Sequence, residues 1–303
     1  MLRCWGCGVA RTWGYTGLAA VAPVSWGTTY LVTTELLPAG VPLGAAVIRV
    51  LPAGVVLLLI SRRGPVGVWW GRVAVLGVLN IGAFNALLFV AAYRLPGGVA
   101  ATLGAVQPLL VVGLAFALLG ERVTRCRLGW GVAGVVGVGL IVLRGAIPVD
   151  MMGIAAGLGG AGSMAAGVVL TKRWGRPDGV GPVAFTGWQL TAGGLLLAPV
   201  AFLVEGLPPA PDVAALAGYA WLAIVGTAIA YVLWFQGVGR LPVTAVSFLA
   251  LLSPVVAAVL GWVVLGQTLT PLQCLGFALA LLAIAAAQLS PATARSLVHQ
   301  ARN

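Results

Sequence analysis

A chain of 303 residues with 61% hydrophobic and only 8% charged side chains cannot keep its surface in water; soluble domains usually carry about a quarter charged residues. The net charge of +11 at pH 7 would suit nucleic acid. That class is excluded because the basic residues sit in short clusters between apolar runs, not on one arm or amphipathic stripe. An all-α polytopic membrane protein remains.

The chain opens with a short tail, residues 1–14, that contains Cys4-Trp-Gly-Cys7. This C-x-x-C has no second ligand pair, and the sole histidine is His299, so no metal and no other cofactor is expected. The first apolar run exceeds a signal-peptide core and lacks a convincing cleavage site, which marks it as a retained span. Glycine, proline and charge clusters then divide the sequence into ten predicted helices: 15–36, 43–60, 73–93, 98–119, 128–143, 152–171, 182–204, 214–238, 243–265 and 272–289. At ~1.5 Å rise per residue, a run of ~20 apolar residues matches a hydrocarbon core ~30 Å thick. Glycine-rich runs such as GWGVAGVVGVGL (129–140) fit close helix approach. No strand and Gly-Lys-Ser follow any of them, so a phosphate loop is excluded.

Orientation follows from the basic residues of the short loops. With the N-terminus inside, the cytoplasmic side receives Arg3, Arg11, Arg62, Arg63, Arg72, Arg122, Arg125, Arg127, Lys172, Arg173, Arg176, Arg240, Arg295 and Arg302, 14 of the 17 basic residues. Only Arg94 and Arg144 fall in outside loops, and Arg49 lies within a span. Both termini are therefore expected in the cytoplasm.

The sequence also repeats itself. At an offset of 146 residues, Arg94-Leu95-Pro96 aligns with Arg240-Leu241-Pro242, Phe89 with Phe235, Pro108 with Pro254, and Leu119-Gly120-Glu121 with Leu265-Gly266-Gln267. At an offset of 140, RVLPAGVVL (49–57) lies against QLTAGGLLL (189–197). Five spans per half is an odd number, so the second half must enter the membrane inverted, as in secondary transporters with a midplane site between halves. The expected organisation is a cytoplasmic tail (1–14), a first repeat (15–145), a second repeat (146–290) and a C-terminal cytoplasmic tail (291–303).

With two five-helix halves, Trp26-Gly27 in the first span and LGE (119–121) after the fourth, the chain resembles the EamA-type transporters of the drug/metabolite superfamily. WGTTYLVTTELLP (26–38), RVLPAG (49–54), LNIGAFNALLFVAAYRLPGGVAA (79–101) and WQLTAGG (188–194) are most similar to the blue-pigment exporter subgroup. That resemblance covers about residues 15–290 and implies export of a planar dye of the indigoidine type. The sequence departs from the family's acidic mark at Gln267, where the first half has Glu121.

Candidate site residues are polar or aromatic groups deep in apolar spans. Arg49 is the sharpest, since an arginine at the bilayer centre costs ~2.5–3.5 kcal/mol on insertion scales. It either snorkels outward or faces a cavity as a donor to substrate carbonyls or carboxylate. Its repeat partner Gln189 sits at mirrored depth. Asn80, Asn85, Gln107, Tyr30, Tyr231 and Ser253 lie near mid-membrane, with Asn85 aligned to Tyr231 and Gln107 to Ser253. Each serves either a substrate or an interhelical hydrogen bond. Trp26, Trp188 and Trp234 are deep enough to stack on a flat molecule, whereas Trp69, Trp70 and Trp221 read as interfacial belt. Pro108 and Pro254, inside the fourth and ninth spans, are expected to bend those helices and act as hinges.

The expected function is export of a small amphipathic or aromatic metabolite by alternating access, with the bilayer and a small-molecule substrate as partners. An amino-acid or drug efflux permease is the alternative, and a structural or signalling membrane protein a remoter one. No paired carboxylates or nucleophile–base pair points to an enzyme. All six carboxylates lie at span ends or in loops, so proton coupling is expected to be weak or indirect. The sequence does not specify an oligomeric state, and a monomer is compatible with it.

Overall fold

The computed structural model describes residues 2–38, 40–95, 103–121, 124–142, 150–266 and 270–289, with side chains from residue 13 onward except at 127, 141, 142, 265, 288 and 289. Its helices are α1 (Leu2–Leu36), α2 (Pro42–Ser61), α3 (Trp69–Arg94), α4 (Gln107–Leu119), α5 (Arg125–Val142), α6 (Met151–Trp174), α7 (Pro182–Glu205), α8 (Val213–Arg240), α9 (Val243–Val264) and α10 (Pro271–Leu289). Among the described residues there is no strand. Six of these helices, α2, α3, α6, α7, α8 and α9, are long and apolar enough to cross a membrane, and shorter apolar helices add to them. The side chains of Cys4 and Cys7, and the expected tail 291–303, lie outside the described residues.

Local signals explain most boundaries. Pro42 and Pro182 open α2 and α7, where their missing N–H is an orphan anyway. Asp150 and Asp212 cap α6 and α8, accepting from Gly153 N at 2.8 Å and Ala215 N at 2.7 Å. The Gly153 N–H, and after it the Arg94 guanidinium, hold the Asp150 carboxyl below its usual range against the cost of desolvation. Arg94 reaches Asp150 at 3.2 Å, and Lys172 Nζ closes the other end of α8 on the carbonyls of Val238 and Leu241 at 3.2 and 2.9 Å.

Two expectations change. Residues 2–14, expected as a tail, continue α1 without interruption; the composition shift at 15 marks the start of apolar sequence, not of the helix. Pro108 and Pro254 do not bend continuous helices either. The chain turns at 105–106 and at 250–251, and each proline sits in the first turn of the helix that follows, where it breaks no ladder bond. Both of those helices then end on a left-handed glycine, Gly120 at φ 66° and Gly266 at φ 64°.

Packing is pairwise. α1 lies against α8 and α9, and α6 lies against α3 and α4, while α2 pairs with α7 and α5 with α10. Small residues set the closest approaches. A Cβ on Gly54 would meet Thr191 N at 2.5 Å across α2–α7, and one on Gly137 would meet the Gly276 carbonyl at 2.8 Å across α5–α10.

Candidate functional site

The site begins with two irregular turns. Val78–Gly82 in α3 and Ile224–Ile229 in α8 are π-helical, each widening the helix by one residue per turn. They begin at the same 146-residue offset that aligns the prolines. In the second, the Gly226 carbonyl accepts from Arg49 Nη2 at 3.0 Å and from Trp26 Nε1 at 2.9 Å. Arg49 Nε also donates to Thr227 Oγ1 at 2.9 Å. Arg49 is only 2% exposed, so the guanidinium turns inward and does not snorkel. Its Nη1 has no partner.

Arg49 lines a cavity of about 80 Å³. Of the sequence candidates, the cavity also brings together Trp26 and Tyr30 from α1, Gln107 at the start of α4, and Ser253 and Pro254 at the break in α9. Thr29, Phe84, Leu88 and Met164 complete much of the wall and were missed. Thr29 was legible: positions 26, 29 and 30 share one helical face. Its neighbour Thr28 points away, donating to Ser25 O and accepting from Trp221 Nε1 at 2.9 Å. Gln107 Nε2 and Thr29 Oγ1, like Arg49 Nη1, are buried without a partner.

The remaining candidates do not line this cavity. Asn80 and Gln189 are fully buried and bonded to each other, Asn80 Nδ2 donating to Gln189 Oε1 at 2.8 Å and to Thr171 Oγ1 at 3.1 Å. Asn85 Nδ2 meets Tyr231 OH at 3.4 Å, so two residues aligned by the 146-residue offset touch each other. Trp234 packs behind Trp26 with ring centroids 5.1 Å apart and is wholly buried. Trp188, six residues into α7, donates Nε1 to the Arg63 carbonyl at 2.6 Å and closes the junction beyond the end of α2. Stacking on a substrate is therefore open to Trp26 and not to Trp188 or Trp234 in this conformation. No group of three or more His, Cys, Asp or Glu side chains among the described residues is placed to hold a metal.

A family model for the EamA-like transporter family matches the chain twice, over residues 12–143 and 151–287. Protein PecM of Dickeya dadantii is 48% identical over 258 residues, spanning 85% of this chain and 86% of its own length. A "Probable terminal-alkyne amino-acid exporter" of Streptantibioticus cattleyicolor is 30% identical over 247 residues, 78% of this chain and 80% of that one. A crystal structure titled only as that of a protein shares the fold with a TM-score of 0.75 at 22% identity, covering 91% of this chain and 98% of its own.

Proposed function

Because the chain belongs to the EamA-like transporter family, we propose that this membrane transporter is a secondary exporter of a small amphipathic or aromatic metabolite. It works by alternating access between two inverted five-helix halves, residues 15–145 and 146–290, in the cell membrane with both termini cytoplasmic. The observation that carries the reading is Arg49, a residue only 2% exposed yet lining a cavity with aromatic walls. A structural scaffold gains nothing from holding a charge there, because a well-packed apolar residue serves at least as well. Trp26, Tyr30, Gln107 and Ser253 line the pathway with it; Asn85 and Tyr231 lie near the axis relating the halves. Metabolite sites usually enclose ~300–1,000 Å³, so the halves must separate to admit a substrate to the present cavity of about 80 Å³. The breaks before Pro108 and Pro254 are where that movement is absorbed.

A planar pigment of the indigoidine type fits the sequence resemblance and the aromatic walls. Amino-acid efflux is the second reading, favoured by the similarity to the terminal-alkyne amino-acid exporter of Streptantibioticus cattleyicolor. The test compares the culture medium of cells with the protein, without it, and with Arg49→Ala at equal membrane abundance. Export restored by the wild type and lost in the variant supports the reading. An unchanged set of exported metabolites with and without the protein refutes it.

A further inference from the structure

We infer that the cavity is built for an organic acid, an aromatic molecule whose ionised carboxylate or equivalent acidic group pairs with Arg49. It rests on the transport reading for the separation of the halves that admits such a molecule to a cavity of about 80 Å³; binding and export are tested separately.

The wall supplies donors and one uncompensated positive charge. Two of the guanidinium's nitrogens are satisfied by neutral oxygens, the Gly226 carbonyl and the Thr227 hydroxyl. Neither cancels the charge. The ion pair found among the described residues is Arg94–Asp150, far along the chain from Arg49, and the cavity lining includes no carboxylate. Arg49, Gln107 and Thr29 line the same cavity, and each has a buried polar atom without a partner: Arg49 Nη1, Gln107 Nε2 and Thr29 Oγ1. The helix Gln107–Leu119 begins at this wall, which adds the positive end of its dipole.

Ligand classes separate on this arrangement. A cation meets repulsion from the guanidinium. A neutral carbonyl satisfies a donor but leaves the charge buried without a counterion, which a protein interior tolerates badly. An anion does both at once, through charge-assisted hydrogen bonds that are roughly twice as strong as neutral ones. Trp26, Tyr30 and Phe84 add flat apolar surface, so the acid carries an aromatic body and is not a bare inorganic ion.

The test uses the purified full chain in detergent with phenylacetate, its neutral isostere phenylacetamide, the cation 2-phenylethylamine, and chloride, with binding read by calorimetry. Phenylacetate is expected to bind tighter than phenylacetamide by about tenfold or more, with the amine and chloride weaker still. Arg49→Gln should erase the preference for acid over amide, and Arg49→Lys should retain part of it. Should Arg49→Gln fail to fold, Arg49→Lys and the wild-type acid–amide pair decide the matter. Equal binding of acid and amide, including none of either, overturns the inference. So does chloride matching phenylacetate, or an acid preference that survives in Arg49→Gln. Acid-selective binding in a protein that exports nothing from cells would refute the transport reading alone.

Discussion

Arg49 and Gln189 occupy matching places in the two halves and solve the same packing problem in opposite ways. Each comes from the second helix of its own half and bonds to the π-helical turn of the other half: Arg49 to Gly226 and Thr227, Gln189 to Asn80. At Gln189 the two amides are at 0% exposure, with Asn80 Oδ1 and Gln189 Nε2 left without partners. The Arg49 junction differs in opening on a cavity and in keeping a charge. On the proposed function, one connection serves as a site and its counterpart as a structural seal. Duplication provides a matched control inside the same molecule.

That contrast can be broken or sharpened by mutation, starting with the largest effect. Arg49→Ala should lower export by roughly a hundredfold to several-thousandfold at equal membrane abundance, since removing a buried charged partner typically costs ~3–5 kcal/mol; export assays on cells of matched expression check this. Gly167→Val acts on the other junction, because a Cβ there collides with the Asn80 side chain. It should cost about 1–3 kcal/mol, read as a lower melting temperature in detergent. Gln189→Leu leaves Asn80 its Thr171 partner and should cost about 1–2 kcal/mol, with export per folded molecule nearly unchanged. If Gln189→Leu instead impairs export as severely as Arg49→Ala, the assignment of one site and one seal fails. Tyr231→Phe should do least, about 0.6 kcal/mol or below, because its 3.4 Å bond to Asn85 is long.

The apolar helices and the two family-matched segments were legible because apolar runs end at charges, glycines and prolines, which mark chain direction and register without tertiary information. Arg49 stood out because an arginine inside an apolar run always needs a reason. The facing of each polar residue was harder to read. Asn80 and Gln107 look alike as amides in apolar sequence, but a π turn rotates Asn80 towards Gln189, and neither VLNIG nor IVGTAI announces such a turn. Pro108 and Pro254 marked the right places but the wrong event, since a proline fits equally a kink or the first turn after a break. Trp188 was misplaced because its depth in the span says nothing of the loop carbonyl that bends back to meet it.

Among the described residues lining the cavity, Arg49 is the only ionised side chain, and this has an electrical consequence. The empty site carries one positive charge, and loading it with a monoanion makes it neutral. For an exported acid, the inside-negative membrane potential then acts on the return of the empty carrier and leaves the loaded step untouched. Each anion moved outward gains ~2.3 kcal/mol per 100 mV. Voltage alone can therefore drive such a cycle, with no proton-binding residue in the cavity. In vesicles, export should fall when valinomycin and potassium abolish the potential, and should persist when only the pH gradient is collapsed.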